Sequence, residues 1–88
     1  MYFALGNLYA DQFRWPQAQQ AYFQAYRLAP DNPAYAYNLA VGLEHLSQPR
    51  LALTYYRRAL ELAGRHNVYG FDPALAQERV AKLGAAEE

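Results

Sequence analysis

The chain has no cysteine, which excludes a disulfide framework, a thiolate metal site and a cysteine nucleophile, and suits reducing and oxidising compartments equally. Lysine occurs once, at Lys82, and eight basic residues are balanced by eight acidic ones. No net field therefore draws the chain to nucleic acid, an anionic membrane or an acidic substrate. Only four residues are β-branched (Val41, Thr54, Val68 and Val80), too few for a sheet. No apolar run approaches the roughly 20 residues of a membrane span. The opening MYFALGNLYADQF lacks the basic n-region and small-residue cleavage site of a leader. The glycines at 6, 42, 64, 70 and 84 are scattered, so no phosphate-cradling loop is written here.

What is present points to helices. Of 88 residues, 53% are hydrophobic and 17 are alanine, the composition of one small all-α domain with close helix contacts. Prolines and short polar residues cut the chain into five predicted helices, over about 2–13, 16–29, 33–47, 49–63 and 73–84. Pro16, Pro33, Pro49 and Pro73 fall near the starts, where a missing amide donor does no harm, and Asn32 and Asp72 are placed to cap.

The strongest signal is self-similarity at an offset of 34: Leu5 and Leu39, Ala18 and Ala52, Tyr22 and Tyr56, Ala25 and Ala59, Leu28 and Leu62, Ala29 and Ala63. Small residues at Gly6, Ala40, Ala18 and Ala52 predict close helix crossings. Leu5, Tyr9, Tyr22, Leu28, Leu39, Leu43, Tyr56 and Leu62 are the predicted apolar core. Tyr2, Leu5, Gly6 and Tyr9, followed by Ala18, Tyr22, Ala25 and Pro30, resemble the two-helix pattern of the tetratricopeptide repeat; Ala36, Leu39, Ala40, Leu43, Ala52, Tyr56 and Ala59 restate it. The second unit departs at its end, where Gly64 stands for the closing proline.

The resemblance implies a right-handed α-α superhelix, with repeat 1 at 1–32, repeat 2 at 33–64, a connecting loop at 65–72, a capping helix at 73–84 and a tail at 85–88. The phrasing is also similar to tetratricopeptide domains at the C-terminal end of bacterial pilus-biogenesis and secretion-assembly proteins.

By that resemblance the first helices of successive repeats line a concave groove for an extended peptide or a partner helix. The implied groove set is Phe3, Asn7 and Asp11, with Ala10 beside them, then Tyr37, Asn38, Val41 and His45, with Ala34 and Glu44 beside those. Asn7 and Asn38 fall where members that grip a peptide's free carboxylate place asparagines. The cations of that clamp are missing: Phe3, Ala74 and Glu78 stand at the positions where it needs lysine or arginine, and a carboxylate desolvated there lacks its counter-charge. A carboxylate clamp is therefore not expected.

No catalytic constellation emerges. His45 and His66 lie 21 residues apart without a Glu-x-x-His or Cys partner, and Ser47 sits in a short turn without a nucleophile elbow. Arg27, Arg50, Arg57 and Arg58 read as a solvated outer face, and Trp15 as a corner-packing aromatic. The expected function is a non-catalytic protein-interaction module without a cofactor, metal or nucleic-acid partner, in the cytoplasm or periplasm. The alternative is an assembly element of a larger multi-repeat protein.

Two further expectations concern the ends. PALAQERVAKLG, with Ala76, Val80 and Leu83 on one face, is predicted to cap the second repeat. The hydrophobic start, MYF, suggests an open face that pairs with earlier repeats or with another copy as a homodimer. The intervening GRHNVYGFDP is predicted to be a packed joint: Gly64 ends one helix in the left-handed conformation, Asp72 and Pro73 start the next, and Val68, Tyr69 and Phe71 fold back on the repeat.

Overall fold

The computed structural model of the chain describes residues 1–67 and 70–87, and the side chains of all of these except 86 and 87. All regular structure among them is helical: α1 (Tyr2–Asp11), α2 (Trp15–Leu28), α3 (Pro33–His45), α4 (Pro49–His66) and α5 (Pro73–Glu87). Consecutive helices pack against one another in chain order. None is long and apolar enough to cross a membrane.

Local chemistry sets the helix starts. Asn32 Oδ1 accepts from the amides of Ala34 and Tyr35 at 3.0 and 3.3 Å, and Pro33 follows at the first helical position. Asp72 Oδ1 accepts from the Ala74 amide at 2.9 Å, ahead of Pro73.

The 34-residue period is written in the backbone as well as in the side chains. After α1, Gln12 (φ −93°, ψ 5°) and the left-handed Phe13 (φ 59°) turn the chain; after α3, Leu46 (φ −91°, ψ 12°) and Ser47 (φ 61°) do the same. The bonds match one for one. Phe13 N–H donates to Ala10 O as Ser47 N–H does to Glu44 O, and Arg14 N–H donates to Tyr9 O as Gln48 N–H does to Leu43 O. These turns end α1 and α3 two residues before the predicted 13 and 47, because a left-handed residue cannot continue a right-handed helix.

Close approach rests on the predicted small residues. Ala18, Ala40 and Ala52 are fully buried, and a Cβ on Gly6 would lie 2.5 Å from Cδ1 of the buried Tyr22 ring, so only glycine lets α2 lean on α1 there. Leu39, Leu43, Tyr56 and Leu62 are buried as predicted, Ala76 of α5 is fully buried, and Val80 and Leu83 pack half-buried on the same core.

Five further expectations need correction. Leu5 is 37% exposed and Leu28 74% exposed, although their counterparts Leu39 and Leu62 are fully buried. The second repeat has α2 over its leading face and Tyr26 and Phe71 around Leu62. Among the described residues no helix lies over α1 in the equivalent way. Tyr9, also predicted as core, is half-buried. The fourth is at the joint: α4 runs through Gly64 to His66, and the left-handed cap is Asn67 (φ 56°, ψ 32°), an amide side chain that tolerates this conformation. The fifth helix also continues past 84 to Glu87. Of the aromatics predicted to fold back, Phe71 does so and stacks on Tyr37 with centroids 4.6 Å apart and planes 4° from parallel. Val68 and Tyr69 lie outside the described residues.

Candidate functional site

The groove on the α3 side is built from a difference between the two repeats. Tyr22 and Tyr56 occupy equivalent positions, each buried at the ring with a phenol that needs an acceptor. In the first repeat Tyr22 donates to Asn7 Oδ1 at 2.7 Å. The residue equivalent to Asn7 is Val41, which cannot accept; one turn on, Glu44 replaces Ala10, and Tyr56 donates to Glu44 Oε1 at 2.9 Å. The acceptor has moved three residues along the helix and gained a charge.

That charge reaches a third helix. Arg79 of α5 donates Nε–H to Glu44 Oε1 at 3.0 Å and Nη2–H to Glu44 Oε2, a two-point fork. The pair is partly shielded, with Glu44 26% and Arg79 32% exposed. One carboxylate thus joins α3, α4 and α5. The pair thus links α5 to α3 beside the apolar contact that Ala76, Val80 and Leu83 make with the core.

Around this tie lies a groove of about 360 Å³, lined by Tyr37, Val41, Glu44, His45, Tyr56, Leu75 and Arg79. Its floor is aromatic: Tyr37 meets Tyr56 edge-on at 5.6 Å and is backed by Phe71. At the rim, His45 stacks face to face on Trp15 of α2, with centroids 3.8 Å apart and planes 1° from parallel. Trp15 therefore packs the corner, as predicted, and does so against the next repeat.

Burial dominates the phenol chemistry of this floor. It raises the Tyr56 hydroxyl far above the ordinary tyrosine range, assisted by the bond to Glu44 and that carboxylate's charge. Tyr37 is raised as well, by burial first and then by Asp72 and Glu44. Both remain neutral hydrogen-bonding groups at physiological pH.

Of the predicted groove residues, Tyr37, Val41, Glu44 and His45 line this cavity, and Phe3, Asn7, Asp11 and Asn38 do not. Phe3 is half-buried between Tyr22 and Tyr35, at centroid distances of 5.9 and 4.8 Å. Asn7 serves Tyr22. Asn38 donates Nδ2–H to its own helix at Ala34 O, 2.9 Å away. Asp11 is exposed at the end of α1, where its charge adds to the burial that raises the Tyr22 phenol.

Sequence reasoning missed Arg79 and Leu75. Arg79 follows the inward Ala76 by three positions and so shares its face, a spacing the sequence offers. Elsewhere the arginines fit the expected outer face, with Arg58 and Arg65 both paired to Glu61 on α4. No protein-family model matches the chain, and comparison with curated proteins gives no match.

Proposed function

We propose that this chain is a non-catalytic interaction module of the tetratricopeptide type, which holds a segment of a partner protein in the groove between α3 and α5. The observation that supports this most is the pairing of an aromatic floor, Tyr37 and Tyr56, with an acid and a base that already neutralise each other, Glu44 and Arg79. Such a groove selects by shape and apolar contact more than by charge. It suits a peptide or helix carrying an aromatic or aliphatic anchor, with backbone polar groups that hydrogen-bond at the rim.

The test is selection from a displayed random-peptide library, followed by calorimetry with the recovered peptides. Val41→Lys places a charge on the half-buried groove wall and should abolish binding while the melting temperature stays within a few degrees. Recovery of no peptide, or peptides that bind Val41→Lys as tightly as the parent, would overturn the reading. The assembly role remains the second reading, because the exposed apolar face of α1 and α2 lies outside the groove.

A further inference from the structure

The outer face of α4 carries charge almost entirely of one sign. Arg50, Thr54, Arg57, Arg58, Glu61 and Arg65 recur at helical spacing and form one stripe roughly 22 Å long. All are exposed except Arg58, which is half-buried. With histidine neutral, four arginines against one glutamate leave α4 at +3; the whole chain is neutral, so the remainder carries −3. The acid within the stripe does not balance it. Glu61 Oε1 accepts from both Arg58 and Arg65, one carboxylate between two guanidiniums, while Arg50 and Arg57 form no ion pair among the described residues.

The repeat itself does not require these cations. At the offset of 34, Arg50, Arg57 and Arg58 correspond to Pro16, Phe23 and Gln24 on α2. The stripe also borders a depression of about 490 Å³, lined by Tyr26 of α2 and by Thr54, Tyr55, Arg57, Arg58 and Glu61 of α4. Tyr26 and Tyr55 meet edge-on there, with centroids 5.3 Å apart, so an aromatic surface lies directly beside the arginines. None of these residues lines the groove between α3 and α5.

We propose that the stripe binds an acidic helical segment of a partner protein, with its carboxylates on the α4 arginines and an aliphatic side chain against Tyr26 and Tyr55. Charge complementarity commits the partner to anions, and a guanidinium fork takes a carboxylate in two hydrogen bonds. The arginines step along α4 at the helical pitch of about 5.4 Å, so a helix laid alongside meets them turn for turn, whereas an extended chain runs out of register. A nucleic acid fits less well. Its uniformly anionic backbone would be repelled by Glu61 within the stripe, and beyond α4 by the −3 carried by the rest of the chain.

Calorimetry on the full chain tests this, with a capped alanine–glutamate peptide of about fifteen residues, long enough as a helix to span the stripe, and one central leucine. The peptide should bind, and bind more weakly as salt is raised; its counterpart with glutamine for glutamate should not bind. Arg50→Gln combined with Arg57→Gln, which breaks no ion pair of the described fold, should weaken binding by at least about tenfold. Glu61→Gln frees Arg58 and Arg65 and should tighten it. Arg14→Gln, which removes an equal charge away from α4, and the groove variant Val41→Lys should leave it unchanged, so this proposal and the groove reading fail separately. No binding, equal binding of the glutamine peptide, indifference to the double variant, no tightening by Glu61→Gln, equal weakening by Arg14→Gln, loss with Val41→Lys, or a single-stranded RNA oligomer bound as tightly as the peptide would each overturn the proposal.

Discussion

At the α3–α4–α5 end of the molecule, Leu39 and Leu62 are fully buried, α5 covers the last repeat, and Glu44 ties three helices together. At the α1–α2 end the same repeat positions hold Leu5 and Leu28, both exposed, and the equivalent tyrosine is satisfied by a neutral amide within its own repeat. The helical pairs share their turn geometry to within a few degrees, so local structure does not cause the difference. What separates them is the neighbour each repeat has, and the charge it carries on its outer helix.

The sharpest way to break this comparison is to truncate the equivalent leucines. Leu39→Ala opens a cavity in a fully buried site and should lower stability by about 2–5 kcal/mol. Leu5→Ala, at a position already 37% exposed, should lower it by less than about 1 kcal/mol. Urea denaturation of dilute protein measures both. Equal losses would mean that the α1 face is covered even when dilute.

Glycines test the same division at the helix crossings. Gly6→Ala drives a Cβ to 2.5 Å from the buried Tyr22 ring and should lower stability by about 1–3 kcal/mol through overpacking. Gly42→Ala meets the nearest atom at 3.5 Å, an ordinary contact, and should raise stability by about 0.5–1 kcal/mol through the lower chain entropy of alanine. Thermal melts that rank the two variants in the opposite order would contradict the packing described.

The smallest expected difference between the two ends concerns the two phenols. Tyr56→Phe removes a donor to a charged acceptor and should lower stability by about 1.5 kcal/mol; Tyr22→Phe, facing a neutral amide, by about 1 kcal/mol. The phenols of Tyr22, Tyr37 and Tyr56 are all raised in the folded chain, so it keeps protons that the unfolded chain releases near the ordinary value of about 10. Their contribution is complete below about pH 10 and declines as pH rises above it. Urea midpoints followed into alkaline solution should fall for the wild type and fall less steeply for Tyr56→Phe.

The repeat was legible because equivalent residues stand at a fixed offset, and Gly6, Ala18, Ala40 and Ala52 lie where the period placed them. A period tells which residues are equivalent, however, and not whether each is covered; Leu5 and Leu28 matched their partners in sequence and differ in burial. Gly64 misled for a local reason. Glycine ends many helices, but one inside a helix costs only about 0.5–1 kcal/mol relative to alanine, so α4 continues through Gly64 until Asn67 turns the chain. The groove was legible at Tyr37, Val41, Glu44 and His45, which share one face of α3. Its far wall was not, because Arg79 meets Glu44 across 35 residues and only the packing of α5 brings them together. Phe3, Asn7 and Asn38 carry side chains suited to surface recognition, and each has a partner within the fold.

The duplicated turn carries a consequence for building with this chain. Because Phe13 and Ser47 adopt the same left-handed torsion and their neighbours make the same bonds, the stretch 13–46 begins and ends at matching backbone geometry. A second copy of that stretch spliced in after Leu46 would meet an identical seam on both sides. The molecule thus contains its own interchangeable cassette, with the cut sites marked by two positive φ angles.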